Sequence, residues 1–218
     1  MKKVYVVGEA KNYANFIVGA SHVDNIEDAE IVIFTGGEDV DPSLYGEEKH
    51  KTTYSNIDRD LYEKGMFEKI QPNQLVVSVC RGSQFCCVMN GGKLVQNCNN
   101  HGIFGTHPIL CHLNQTVYEI TSTHHQMQYP YDLDKEDYTV VATSMNNRSN
   151  YYEGGGINSK LLILEGEPEI VLYHKQNMPR CIAIQGHPEY MRKESPIVKY
   201  LNQLINDNLK IVKNNENN

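Results

Sequence analysis

The chain has 218 residues, enough for one medium domain, with 20 Lys and Arg against 27 Asp and Glu and a formal net charge of −7. That balance argues against a surface that tracks nucleic-acid phosphates, and no apolar run approaches the roughly 18 residues that span a bilayer. The short apolar stretch after Lys2 and Lys3 reads as a first strand rather than a signal peptide. The six cysteines (Cys80, Cys86, Cys87, Cys98, Cys111 and Cys181) are therefore expected as free thiols in a reducing, cytoplasmic setting.

In chain order, apolar runs with β-branched residues predict strands at residues 4–7, 31–35, 75–79, 116–120, 138–142, 161–164, 169–174 and 181–185. Several are apolar without alternation, the pattern of strands buried on both faces. Helical spacing falls between them. Residues 59–70 place Leu61, Met66, Phe67 and Ile70 near one stripe, and 82–89 follow a strand directly. Residues 196–211 carry Ile197, Leu201, Leu204, Ile205 and Leu209. Strand and helix alternate in the first half, and strands dominate the second. This predicts an α/β layer fold with a partly parallel central sheet and antiparallel additions. No repeat or linker divides the chain, so a single domain is expected over residues 1–213, followed by a frayed, solvated tail at 214–218.

Three predicted strands end in residues that carry chemistry. Leu75-Val-Val-Ser-Val-Cys80-Arg-Gly-Ser-Gln84 reads strand, sharp turn, helix. Such a turn lifts one side chain out at the sheet edge and sets it against the positive end of a helix, which favours a thiolate. Small neighbours, here Ser78 and Gly82, let the turn pack. A cysteine ending an apolar strand also suits a plain core position. Cys181-Ile-Ala-Ile-Gln-Gly-His187-Pro-Glu189 runs a second strand into a histidine, with a carboxylate two residues on. A thiol nucleophile needs such a base, and the base needs an acceptor to fix its tautomer. Ile31-Val-Ile-Phe-Thr35-Gly36-Gly37 ends a third strand in glycines whose N–H groups can approach a ligand. One of them, with the N–H of Arg81, would form an oxyanion hole.

Together with Gly36-Gly37-Glu38-Asp39-Val40-Asp41-Pro42-Ser43-Leu44-Tyr45-Gly46, Arg59-Asp60-Leu61-Tyr62-Glu63 and Ser122-Thr123-His124-His125-Gln126, these segments resemble the class I glutamine amidotransferase superfamily. Within it they are most similar to the γ-glutamyl hydrolases, including the γ-glutamyl-γ-aminobutyrate hydrolase type. The resemblance implies a three-layer sandwich with a flavodoxin-like core and a mostly parallel central sheet. It implies a Cys80–His187–Glu189 triad, an oxyanion hole from Gly37 or Gly36 with Arg81, and Gln84 on the glutamyl end of the substrate. Ser122, Thr123 and His124 would line the pocket, and Tyr45 sits on the motif loop near it. The implied reaction is attack of Cys80 on a γ-glutamyl amide, giving a thioester that water releases. Two departures stand out. Ser78 replaces a customary glycine, and Gly186 replaces an aromatic before His187, removing a wall near that ring.

A glutaminase supplying ammonia to a separate synthetase partner is a second reading, and a non-catalytic homologue a third. Cys98 and His101 with Cys111 and His112 hold metal-ligand residue types, but their spacing does not match a zinc motif. No metal and no cofactor are expected.

Overall fold

The computed structural model describes residues 1–214. The strands in chain order are β1 (Lys2–Val6), β2 (Ala20–His22), β3 (Ile31–Phe34), β4 (Leu75–Val79), β5 (Lys93–Val95), β6 (Asn97–Cys98) and β7 (Gly102–Cys111). After them come β8 (Thr116–Thr123), β9 (Met127–Tyr129), β10 (Tyr138–Ser144), β11 (Tyr152–Glu153), β12 (Pro168–Tyr173) and β13 (Arg180–Ile184). The α-helices are α1 (Ile57–Phe67), α2 (Arg81–Met89), α3 (Ser159–Glu165) and α4 (Pro196–Asn214).

Nine strands form one sheet in the order β2-β1-β3-β4-β13-β12-β10-β7-β8. From β2 to β13 neighbours pair in parallel, and from β13 to β8 each pair is antiparallel. Seven of the nine strands consequently share one direction, and β12 and β7 run against them. This is the mixed, mostly parallel α/β architecture that the alternating first half predicts.

The central strands lack alternation because both faces are covered. Ile31, Ile33, Leu75, Val77, Ile182 and Ile184 pack on one side with Ile197, Leu201 and Ile205 of α4. Val32, Phe34, Val76 and Ala183 pack on the other with Phe67 of α1 and Phe85 of α2. Burial of this apolar surface, at roughly 25 cal/mol per Å², is the main force holding the three layers together. The helix α4 buries its whole predicted stripe, with Val198 and Val212 in addition. It extends through Asn214, the residue at which the sequence predicts the tail to start. The rest of that expected tail, 215–218, lies outside the described residues.

Three expectations need correction. Residues 161–164 are helical, inside α3, and only Leu162 is buried there. The Asn158 side chain accepts from Lys160 N and starts the helix, and Gly166, at φ 95°, ends it. The stripe of α1 differs too. Leu61 is exposed and Ile70 lies beyond the helix, while Asp60 and Glu63 are buried beside Met66 and Phe67. Of the large β7–β8 hairpin, the sequence pattern marks only the second strand. Gly102, Gly105 and Pro108 hide β7 in the sequence, and a register shift between Gly102 and Thr106 breaks its alternation.

Candidate active site

The parallel strands β3, β4 and β13 end side by side, and their carboxyl ends deliver the three predicted segments to one edge. Between β4 and α2, Cys80 adopts φ 52° and ψ −114°, a backbone conformation that a non-glycine residue rarely takes. The turn is held because Cys80 N donates to Ile184 O at 2.8 Å, while Ser83 N and Ser83 Oγ donate to Cys80 O at 2.9 and 2.7 Å. A side chain at Gly82 would meet the Phe34 carbonyl oxygen at 2.3 Å, so close packing of α2 on β3 requires this glycine. Ser78 fits where a glycine is customary, its hydroxyl donating to Ile182 O at 3.3 Å.

His187 follows β13, and its Nδ1 lies 2.7 Å from Glu189 Oε1. The Glu189 carboxylate is almost wholly buried. Cys80 lies close enough to the same imidazole to act on its charge. Burial pulls the His187 pKa down, but the interactions with Cys80 and Glu189 prevail and push it up to about 10. The raised value fixes the sign of the linkage. The pair's contribution to stability is complete below the ordinary histidine value and is lost as pH rises through about 10. If His187 acts as the acid, the alkaline limb of kcat/KM falls near that same pH, and Glu189→Gln moves the limb down. A pH–rate profile of both proteins checks this; a wild-type limb near the ordinary histidine value would contradict it.

Residues that carry no motif in the sequence hold this histidine. Thr121 on β8 clamps its backbone: His187 N donates to Thr121 Oγ1 at 2.9 Å, and Thr121 Oγ1 donates to His187 O at 3.0 Å. Tyr190 stacks on the imidazole at 4.8 Å with the rings 9° apart, and Tyr13 tilts against it at 6.2 Å. The expected loss of a wall at Gly186 is thus made good by other aromatics. Gly186 itself is required, since a side chain there would meet Thr121 O at 2.5 Å.

The glycine turn lies against both groups. A Cβ on Gly36 would stand 3.1 Å from His187 Cε1 and 3.5 Å from Cys80 Cβ. The Gly36 carbonyl accepts from Arg59 Nη2 at 3.0 Å, and a Cβ on Gly36 would stand 2.7 Å from the Tyr13 hydroxyl. Gly37, at φ 140°, borders the cavity beside Cys80. The Arg81 side chain runs into the core, where it pairs with Asp60 and Glu63, while the role expected of this residue rests on its backbone N–H. As the first residue of α2, it keeps an N–H with no acceptor inside the helix. Glu63 also accepts from Arg59 Nε at 2.9 Å, so one buried network joins α1, the glycine turn and the start of α2.

A cavity of about 180 Å³ opens on Cys80, bordered by Gly37, Gln84, Thr123 and His124 among others. Gln84 Nε2 donates to Gln126 O at 2.9 Å, which fixes the amide. His124 Nδ1 lies 2.8 Å from the same carbonyl, and burial first, then the charge of His101, holds this histidine well below its ordinary pKa. Two expected pocket residues sit elsewhere. Ser122 is fully buried and donates to His101 O at 2.6 Å, and Tyr45 packs into the core beside α2. Nearness in sequence misplaces both. Ser122 alternates with Thr121 and Thr123 along β8, so it faces inward where Thr123 reaches the cavity. At the rim, His125 Nε2 lies 3.2 Å from Asp39 Oδ1, and that contact raises the His125 pKa. The four residues weighed as zinc ligands do not converge. Cys111 donates to Tyr200 Oη, and His112 contacts Thr143 Oγ1.

A strand-end cysteine between parallel strands, facing a histidine from the neighbouring strand, marks the class I glutamine amidotransferase-like α/β proteins. Residues 18–181 match the Peptidase C26 family, and the chain belongs to that family. Among curated relatives, Protein NtpR of Enterococcus hirae is 30% identical over 129 residues, 49% of this chain and 53% of that protein. The glutamine amidotransferase-like protein YvdE of Lactococcus lactis is 28% identical over 163 residues, 72% of this chain and 65% of its own. The chain thus spans between about half and two thirds of the length of these relatives. A glutamine amidotransferase of Thermotoga maritima superposes with a TM-score of 0.54 at 15% identity, covering 98% of this chain and 94% of that one. A candidate GMP synthase component of Thermoplasma acidophilum gives 0.60 at 15%, covering 100% and 96%. These two likenesses show the fold. Among the described residues, no helix is long and apolar enough to cross a membrane.

Proposed function

We propose that the protein hydrolyses a γ-glutamyl amide through a γ-glutamyl thioester on Cys80. The observation that carries this reading is the Cys80–His187–Glu189 arrangement at a strained strand–helix turn. In the first step the Cys80 sulfur bonds the γ-carbonyl carbon. The oxyanion is met by the N–H group of Gly37 or Gly36 together with that of Arg81. His187, holding the thiol's proton, passes it to the departing nitrogen as the C–N bond breaks. Water then attacks the thioester, His187 takes its proton, and glutamate leaves as the thiol is restored.

The pocket size supports a small acyl group. About 180 Å³ falls below the roughly 300 Å³ of sites for drug-sized ligands, so the glutamyl part enters and the leaving group stays at the mouth. The carboxylates of Glu38 and Asp39 suit the substrate's α-ammonium, and His125 its α-carboxylate. A second reading, a glutaminase that hands ammonia to a synthetase partner, draws on the names of the amidotransferase-like relative and the GMP synthase neighbour.

The test is glutamate release by the purified chain from glutamine, several γ-glutamyl amines and γ-glutamyl peptides. The hydrolase reading expects a γ-glutamyl amine or peptide to be turned over faster than glutamine, with no partner present. Preference for glutamine would favour the second reading, and release unchanged by His187→Ala would sink both.

A further inference from the structure

A second cluster of reactive groups lies apart from the triad, in the antiparallel half of the sheet. His101 just precedes β7, His107 lies on β7, and Glu169 lies on β12. One ligand-type atom from each falls within 4.8 Å of the others. All three side chains are 0–1% exposed. Glu169 Oε1 stands 3.2 Å from His107 Nε2 and 3.6 Å from His101 Nδ1.

Hydrogen bonding does not account for this approach. Neither oxygen of Glu169 and neither ring nitrogen of His107 completes a hydrogen bond. The atoms are close, but the N–H directions miss the acceptor, and direction is what a hydrogen bond demands. Buried polar groups of this kind are normally satisfied. A cation at their focus would satisfy a carboxylate and two imidazole lone pairs together. Zn–N and Zn–O lengths near 2.0–2.2 Å put ligand atoms of a tetrahedron roughly 3.3 Å apart; the two edges at Glu169 Oε1 bracket that spacing, and the edge between the imidazoles is at most 4.8 Å.

The surroundings also fit. A metal-bound histidine usually turns its other ring nitrogen to a carboxylate, which fixes the tautomer. His101 Nε2 lies 3.1 Å from Glu167 Oε2, although, as at His107, its N–H direction completes no hydrogen bond there. Glu167 is itself held by the N–H groups of Arg148 and Ser149 and by the Tyr152 hydroxyl, each at 2.8 Å. Mixed nitrogen and oxygen ligation disfavours Mg²⁺ and Ca²⁺, which take oxygen, and suits Zn²⁺.

We propose that His101, His107 and Glu169 supply three of the four ligands of a structural zinc site, a bound water completing the tetrahedron, with Glu167 orienting His101 from outside the ligand set. Full burial keeps substrate away from the ion, so its work is to tie β7 to β12 beneath the pocket. The ring of His101 packs on that of His124 at 4.7 Å, and His124 borders the cavity. The site is independent of the reaction assigned to Cys80.

The test uses the full chain, free of any affinity tag and carrying Cys80→Ser, so that the active-site thiol cannot bind the metal. Metal content is measured after purification, and the chelator-treated chain is titrated with Co²⁺ and then Zn²⁺. We expect about one tightly held equivalent, zinc displacing cobalt, and a tetrahedral Co²⁺ spectrum with no thiolate band. Glu167→Gln, which keeps size and shape, should weaken binding roughly 10- to 100-fold. Zinc should also raise the thermal midpoint of the depleted chain. Binding no stronger than background, a thiolate band that places the metal on another cysteine, or affinity unchanged in both Glu167→Gln and His107→Ala would overturn the proposal.

Discussion

Cys80→Ser lowers glutamate release by a factor on the order of 10⁴ to 10⁶, by analogy with losses seen when a hydrolase nucleophile is removed. The size follows from how much of the site points at one atom. The strand β4 fixes the backbone, the turn at φ 52° lifts the side chain out, and the start of α2 faces it. Serine is nearly the same shape, so the turn, its bonds to Ile184 and Ser83, and the melting behaviour should all persist. What changes is the nucleophile: a hydroxyl beside His187 holds its proton far more tightly than a thiol does. Circular dichroism and release assays on the same sample separate the two effects. A serine variant that keeps more than a tenth of the activity would remove Cys80 from the mechanism.

Arg81→Met destabilises the protein by about 3–5 kcal/mol, the usual cost of breaking a buried ion pair from one side. Arg81 is 1% exposed, and its guanidinium divides between Asp60 and Glu63. Removing it strands two carboxylates in the core, of which Glu63 keeps Arg59 and Asp60 keeps the Asp41 N–H. Arg81→Lys should rescue only part of the loss, because one ammonium cannot meet two carboxylates in a fork. The double change Arg81→Met and Asp60→Asn should recover most of it, since Glu63 then keeps its pair with Arg59 and no other buried charge is left alone. Urea unfolding of the three proteins checks the order. Because the network also holds the glycine turn through Arg59 and Gly36, release should fall in Arg81→Met even where the protein is fully folded. A loss below about 1 kcal/mol for Arg81→Met would show the network to be dispensable.

The parts legible in the sequence are those with a local cause. Residues 31–34, 75–79 and 181–184 read as buried strands because both faces of each are covered, which leaves an unbroken apolar run. Cys80, His187 and Gly37 could be picked out because each ends such a strand, and parallel strand ends meet at one edge. What stayed hidden depends on distant partners. Thr121 clamps a histidine 66 positions away, and nothing near it in sequence marks the role. Asp60 and Glu63 stand in a segment that carries the resemblance, but nothing near them in sequence shows that Arg81 buries them. Gly186 looks like a missing wall, because Tyr13 and Tyr190 supply theirs from elsewhere. His101, His107 and Glu169 follow no ligand spacing, since the sheet rather than a loop gathers them.

The most direct test of the central claim is covalent labelling with an electrophilic glutamine analogue, followed by intact-mass and peptide mapping. All six cysteines are free and buried and Cys80 borders the cavity, so it is the slowing in His187→Ala that separates reactivity from access. We expect a single adduct on Cys80, slowed by glutamine or a γ-glutamyl amine, absent from Cys80→Ser and strongly slowed in His187→Ala. Labelling spread over several cysteines, or labelling of Cys80 that His187→Ala leaves unchanged, would contradict the account.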